Sequence, residues 1–120
     1  FYPNDEVSDQ PENVIVAEVI REKAIAATRE EVPQSVAVVV EEMGPREGSD
    51  LIDIFASIFV ERDSQKGILI GSGGKMLKSI GTKARVELEA LLGSRIYLDL
   101  RVKVESEWRR DQRALERFGY

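Results

Sequence analysis

The chain has 120 residues, 42% of them hydrophobic and 32% charged, a composition typical of a single folded domain rather than of a disordered segment. It contains no cysteine and no histidine, which excludes disulfides, cysteine or histidine ligands for a metal, and catalysis by a histidine-assisted nucleophile. Its apolar runs are far shorter than a membrane span and its first residues are polar and acidic, so we expect a cytoplasmic domain.

The net charge of −5 conceals an uneven distribution of charge along the chain. Residues 1–65 carry fifteen acids and five bases, whereas residues 66–120 carry seven acids and twelve bases. The stretch 64–86 has no acid at all, and its bases are Lys66, Lys75, Lys78, Lys83 and Arg85. This stretch indicates a local positive field of the kind that attracts a polyanion, with a solvated basic helix face as the ordinary alternative.

The hydrophobic pattern divides the chain into a short N-terminal segment and one domain. Residues 1–11 contain three acids, two prolines and little periodicity, which predicts a linker ahead of a domain at 12–120. The predicted elements then follow in chain order: a helix to about residue 31, strands at 36–40 and 51–61, a short helix at 66–70, a long helix at 75–92, a strand at 96–104 and a last helix at 107–118.

Two of these elements predict how the domain packs. In the long helix one stripe is apolar, formed by Leu77, Ile80, Ala84, Leu88 and Leu91. In the last strand the inward positions are all aliphatic, namely Ile96, Leu98, Leu100, Val102 and Val104. The order α-β-β-α-α-β-α therefore predicts an α+β domain, with one three-stranded sheet and helices on one face.

A glycine-rich loop carries the strongest chemical signal. Five of the nine glycines lie between residues 66 and 81, and Gly71-Ser72-Gly73-Gly74 separates the two central helices. Glycines let another backbone approach closely, and the helix N-terminus that follows favours an anion. Lys75 and Lys78 add positive charge one turn apart.

The type of anion follows from the spacing. A Walker A loop needs a glycine where Leu69 stands and a serine or threonine where Met76 stands, and a dinucleotide-binding loop needs glycine or alanine at position 76. Neither nucleotide motif is met. A Gly-x-x-Gly loop between two helices fits the phosphate backbone of a single nucleic-acid strand, and a glycine-rich helix corner is the structural alternative.

The strings around the loop resemble the type II KH domain at the C-terminus of bacterial GTPases of the Era family. The likeness covers nearly the whole chain and includes Tyr2-Pro3, Ser8-Asp9-Gln10-Pro11, Ala17-Glu18, Val32-Pro33, Gly67-Ile68, Met76-Leu77-Lys78, Ile80-Gly81, Val102-Lys103-Val104 and Trp108-Arg109. One departure is Ser72, at a position that is often basic in this family, and it shifts phosphate contact to Lys75.

The resemblance implies a mixed sheet of the type II KH kind and binding of single-stranded RNA, the target being the 3′ end of 16S ribosomal RNA during assembly of the small ribosomal subunit. It also implies a GTP-binding domain, with GTP and magnesium, elsewhere in a longer protein, and residues 1–11 as the remnant of an interdomain linker. Peripheral contact with the cell membrane is associated with the family, but no motif in this sequence indicates it.

The residues expected to bind RNA follow from the KH groove. The loop Gly71, Ser72, Gly73 and Gly74 would approach the backbone, Lys75 and Lys78 would neutralise phosphate, and Ile68, Ile70 and Ile80 would form an apolar floor, with a plain core role as the alternative for the isoleucines. Flanking RNA would meet Arg101, Lys103 and the arginines at 109, 110, 113 and 117, for the last four of which a solvated helix face is the alternative. Trp108 and Tyr97 are candidates for base stacking or for packing.

Two other classes of function stay open from the residues alone. An enzyme would depend on carboxylates, lysines and serines, and the adjacent acidic pairs, such as Glu41-Glu42, are not spaced to flank a substrate, so we expect no catalytic residue and no metal site in these 120 residues. A protein-interaction or GTPase-regulating module would act through the acidic first helix and use the glycine loop only structurally.

Overall fold

The computed structural model describes residues 11–29, 36–106 and 116–119 of the chain. The elements in chain order are α1 (Pro11–Thr28), β1 (Ala37–Pro45), β2 (Ile52–Val60), α2 (Asp63–Ile70), α3 (Lys75–Leu92) and β3 (Ile96–Val104). This succession confirms the predicted α-β-β-α-α-β order. The linker predicted at 1–11 and the last helix predicted at 107–118 lie largely outside the described residues.

The three strands form one mixed sheet in the order β1-β2-β3. Strand β1 runs antiparallel to β2, and β3 runs parallel to β2 because α2 and α3 carry the chain back between them. A bulge lies at Glu41, since Val40 pairs with Ala56 while Glu42 pairs with Phe55. The strand therefore continues to Pro45, beyond the predicted end at residue 40.

The core lies between one face of this sheet and the three helices, as the sequence predicts. Its fully buried side chains include Val16 and Ile20 of α1, Ile54 and Ile58 of β2, Leu69 of α2, and Ile80, Ala84 and Leu88 of α3. The helices α1 and α3 pack against each other on this face, and α3 runs back along β3, which places the start of α3 and its preceding loop at one edge of the sheet.

Two expectations about the core are wrong at its margins. Leu91 does not close the apolar stripe of α3: its side chain is 56% exposed, and Leu92, one helical turn after the buried Leu88, packs on the core instead. Val104 was expected to point inward, but it stands at the end of β3 beyond the helices and is 37% exposed.

The first helix also ends earlier than residue 31. Thr28 turns its hydroxyl back to donate to the carbonyl of Ala24 at 3.0 Å, and Arg29 has a positive φ of 52°, which breaks the helical path.

Candidate nucleic-acid interface

The glycine loop joins α2 to α3 in a backbone conformation that needs glycine. Gly71 has φ 75° and ψ 178°, a region that essentially only glycine adopts, and a β-carbon there would lie 2.7 Å from Cβ of Met76. At Gly73, with φ 61°, a β-carbon would meet no atom of the described residues within 4 Å. One glycine of the loop is therefore required by packing, whereas the next faces open space and leaves the backbone accessible.

The loop leads directly into the N-terminus of α3. Residues 72–74 form a single 3₁₀ turn, in which the N–H of Gly74 donates to the carbonyl of Gly71 at 3.2 Å. The N-cap residue of α3 is Gly74, which has no side chain to cap the helix. The positive end of the helix dipole therefore lies beside an open glycine backbone, an arrangement that favours a phosphate.

The lysines that follow the loop carry unneutralised charge. Lys75 and Lys78 are exposed, and within the described residues no ion pair involves either of them. Lys66 and Lys83 likewise form no ion pair within these residues, whereas Lys23 is paired with Glu87 at 2.6 Å. The structure thus brings the six predicted residues 71–75 and 78 together as one basic edge of the domain.

A groove of about 360 Å³ runs from this edge between α3 and β3. The helix contributes one stripe to it, and the strand contributes two half-buried leucines; the lining residues are Gly74, Leu77, Lys78, Gly81, Thr82, Arg85, Leu98 and Leu100. Within the groove, a methyl group on Gly81 would lie 3.6 Å from Cδ1 of Leu100. The groove is apolar along its floor and basic at both ends.

The floor predicted from the sequence is not the floor of this groove. Ile80 has no exposed surface and packs in the core, while Ile68 and Ile70 are half-buried against the same core. Leu98 and Leu100 take that place because β3 is an edge strand, so part of its inward face extends beyond the helices. The signal that could have found them is the inward alternation of β3 on a strand with one neighbour.

Arg101 and Lys103 lie on the opposite face of the sheet, away from the groove. Arg101 pairs with Asp99 at 3.2 Å, and Lys103 pairs with Glu41 at 3.3 Å. Glu41 also accepts a hydrogen bond of 2.6 Å from the hydroxyl of Ser57, and this bond, followed by Lys103, holds the pKa of Glu41 below its ordinary value. The structure does not bring these two bases together with the loop.

Of the other residues predicted to contact flanking RNA, Arg117 also lies on the face opposite the groove. Arg117 pairs with Glu105 at 2.9 Å, and its guanidinium lies 5.1 Å from the ring of Phe59, while the ring of Phe118 packs on Phe59 with centroids 4.7 Å apart. Both contacts are on the face opposite the groove. Trp108 and the arginines at 109, 110 and 113 lie outside the described residues.

Tyr97 is 44% exposed, but it also lies on the opposite face, where Arg46 covers its ring at 5.2 Å and Phe55 meets its edge at 6.1 Å. Arg46 is held in turn by Asp53 at 2.6 Å. The tyrosine is therefore a member of a packed surface cluster rather than part of the groove.

The far end of the groove is lined by Arg85, which is paired with Glu89 outside the lining. One carboxylate oxygen of Glu89 contacts Nη1 of Arg85 at 3.1 Å, and the other accepts the N–H of Ile96 at 2.9 Å. The Ile96 N–H, and then the Arg85 charge, hold the pKa of Glu89 below its ordinary value. The carboxylate thus ties the last turns of α3 to the first residue of β3.

Within the part of the chain that the structure describes, no group of acidic residues is arranged to hold a metal ion. No helix among residues 11–29, 36–106 and 116–119 is long and apolar enough to cross a membrane.

The chain is similar to known proteins along its whole length. The chain is 54% identical over 121 residues to the GTPase Era of Mycobacterium tuberculosis strain H37Rv and 53% identical to that of Mycobacterium sp. strain KMS. Each alignment covers 100% of this chain and 40% of the relative, so the chain spans less than half the length of these relatives.

Two solved structures of Era match all of this chain and 40% of their own, each with a TM-score of 0.88 and 44% identity. One is a variant of Aquifex aeolicus Era bound to GDP·AlF4⁻, and the other is Era in complex with MgGDPNP and nucleotides 1506–1542 of 16S ribosomal RNA. The family model for the KH domain matches residues 31–109, which contain the glycine loop, the groove and the whole sheet. The chain belongs to the KH domain family.

Proposed function

We propose that this chain binds single-stranded RNA in the groove between α3 and β3, with the 3′ end of 16S ribosomal RNA as its target. The observation that carries the proposal is the junction of an open glycine backbone, two lysines without an ion pair among the described residues, and an apolar groove at one edge of the sheet. The likeness to an Era chain whose crystal structure includes nucleotides 1506–1542 of 16S ribosomal RNA supports the choice of target.

The loop and the lysines would hold the phosphate backbone. KH loops of the Gly-x-x-Gly type clamp about four nucleotides, and with glycines at 71, 73 and 74 the loop places only the small Ser72 side chain between the strand and the helix N-terminus. Lys75 and Lys78 would neutralise the phosphates next to the loop. Because Ser72 adds no charge, Lys75 and Lys78 would supply the positive charge next to these phosphates.

The bases would lie in the groove. Leu77, Leu98 and Leu100 present apolar surface there, and Gly81 keeps the groove deep by adding no side chain. In this proposal Ile68, Ile70 and Ile80 support the floor from beneath, and Arg101 and Lys103 stabilise the opposite face of the sheet instead of contacting RNA.

We also propose that the chain is one domain, residues 12–120, of a longer Era-like GTPase, with residues 1–11 as its linker. GTP and magnesium would bind the other domain, and the small ribosomal subunit in the cytoplasm would be the assembly on which the protein acts. The support is the match to 40% of each Era relative and to Era structures that carry guanine nucleotides.

A salt titration tests the binding proposal. Binding of the 120-residue chain is measured by fluorescence anisotropy with a short RNA of the 16S 3′-terminal sequence and with a scrambled RNA of equal length. One phosphate contact each for Lys75 and Lys78 predicts a slope of log K against log salt of about −1.4, and we expect a micromolar Kd, about −8 kcal/mol, for the matched RNA. Equal affinity for both RNAs with a steeper slope would reduce the site to a nonspecific basic patch, and no binding at low salt would favour a protein-interaction module.

A further inference from the structure

We propose that Arg85, oriented by Glu89, selects the base at the far end of the groove by recognising two adjacent hydrogen-bond acceptors, and this inference rests on the proposed RNA binding. Arg85 is the positively charged residue that lines the groove at the end away from Lys75 and Lys78. It follows Gly74 by about three turns of α3. A guanidinium in that place meets the RNA well beyond the phosphates held by the loop.

The Arg85 side chain is both restrained and accessible. Its Nη1 contacts Oε1 of Glu89 at 3.1 Å, and its side chain is 41% exposed and lines the groove, so a ligand in the groove can reach it. A guanidinium has five N–H donors in a planar fork, and the contact with Glu89 does not occupy them all. The fork therefore enters the groove with donors available.

Glu89 is itself fixed, which makes it a positioning residue for Arg85. Its Oε2 accepts the N–H of Ile96 at 2.9 Å, so the carboxylate is held by the strand as well as by the helix. Leu98, which lies two residues after Ile96 on the same face of β3, lines the groove beside Arg85. The orientation of the fork relative to the floor is thus set by the same contact that joins α3 to β3.

The chemistry of the fork decides which bases it accepts. Arginine offers donors only, so it favours an edge with two neighbouring acceptors. Guanine has such an edge at O6 and N7, and cytosine has one at O2 and N3, whereas adenine and uracil alternate acceptors with donors. In a single strand these edges are exposed, so the structure assigns a preference for cytosine or guanine at this one nucleotide.

The test compares short single-stranded RNAs that are identical except at one position, which is scanned through all four bases. The proteins are the wild-type chain, Arg85→Lys, Arg85→Ala, Glu89→Gln and, as a matched control, Arg95→Ala, which removes an exposed arginine near the start of β3 that does not line the groove. Glu89→Gln keeps an oxygen to accept the Ile96 N–H but places an amide beside Arg85. Unfolding in urea confirms that each variant is folded.

At one scanned position we expect the wild type to bind cytosine or guanine about tenfold more tightly than adenine and uracil, and the scan tells the two favoured bases apart. Arg85→Ala and Arg85→Lys should lose this discrimination while keeping affinity for the adenine and uracil RNAs near that of the wild type. Glu89→Gln should reduce the discrimination, and Arg95→Ala should retain it.

Three results would overturn the inference. If Arg85→Ala weakens every RNA equally and lowers the salt slope, Arg85 contacts phosphate rather than a base edge. If it changes nothing, or if the preferred bases are adenine and uracil, the arginine does not read the base; in these cases the proposed RNA groove survives. If the wild type binds none of the RNAs, the proposed function fails together with the inference.

Discussion

Gly81 of α3 and Leu100 of β3 face each other across the groove so closely that a methyl group on the glycine would lie 3.6 Å from Cδ1 of the leucine. That distance is ordinary van der Waals contact, so packing does not require glycine at this position. A glycine inside a helix costs about 0.5–1 kcal/mol relative to alanine. The glycine is thus explained by the depth of the groove rather than by stability.

Gly81→Ala should therefore raise the free energy of unfolding by about 0.5–1 kcal/mol and weaken RNA binding, because the added methyl group enters the groove. Urea unfolding and anisotropy measure the two effects. Gly67→Ala is the matched control: it is a glycine in α2 with open space around it, and it should gain stability without losing affinity. A Gly81→Ala variant that binds RNA as well as wild type would place the bases elsewhere.

Gly71 and Gly73 should differ in what alanine does to stability. Gly71→Ala forces a β-carbon to within 2.7 Å of Met76 in a glycine-only backbone region, so we expect a loss of at least about 2 kcal/mol. Gly73→Ala adds strain from its positive φ alone, about 1 kcal/mol. Urea unfolding of the two variants compares them directly, and equal losses would contradict the described loop.

Lys75 and Lys78 should each carry one phosphate contact. Lys75→Ala and Lys78→Ala should each reduce the magnitude of the salt slope by about 0.7, the value for one contact on a single strand. Lys83→Ala is the control, because Lys83 is exposed on the same helix but does not line the groove. A slope that changes as much in the control would mean that the whole helix face, and not the groove edge, attracts the RNA.

Glu89 should make stability depend on acid pH. Its pKa is lowered in the folded chain, chiefly by the N–H of Ile96, so its stabilising contribution is present above its ordinary pKa of 4.5 and is lost as the pH falls through the lowered folded value. Glu89→Gln should be less stable than wild type at neutral pH, and the gap should narrow in acid. Urea unfolding between neutral and acid pH measures this, with Glu18→Gln, on the exposed face of α1, as control. A gap that stays constant across the range would contradict a stabilising role for the Glu89 carboxylate charge.

The helices and strands that bury one regular face could be predicted from the sequence. The bounds of α3 at 75 and 92 and of β3 at 96 and 104 are confirmed, because an uninterrupted apolar period and a glycine C-cap at Gly93 are local signals. The start of α2 was missed. It begins at Asp63 because the Gln65 side chain accepts the N–H groups of Glu61 and Arg62, each at 3.0 Å. These hydrogen bonds leave no trace in the pattern of apolar residues from which the helix was predicted.

The glycine loop could also be predicted, because its residues are consecutive and the signal is therefore local in the sequence. The groove could not, because its walls come from α3 and β3 and depend on how far the edge strand extends beyond the helices. Leu98 and Ile80 are both inward aliphatic residues in the sequence, yet one lines the groove and the other is fully buried. Arg101 alternates with the inward aliphatic positions of β3 and so belongs to the other face of the strand, but the sequence does not say that this face is opposite to the loop.

The most direct test of RNA binding compares two glycine-to-aspartate substitutions. Gly73→Asp and Gly48→Asp both add a carboxylate at a glycine with positive φ and open space, but Gly48 lies in the β1–β2 hairpin turn, away from the lining of the groove. Anisotropy with the 16S 3′-end RNA should show Gly73→Asp binding at least about tenfold more weakly than Gly48→Asp, because its charge faces phosphate. Circular dichroism should show both variants folded. If Gly73→Asp, still folded, binds this RNA as tightly as Gly48→Asp, the glycine loop does not hold the RNA backbone.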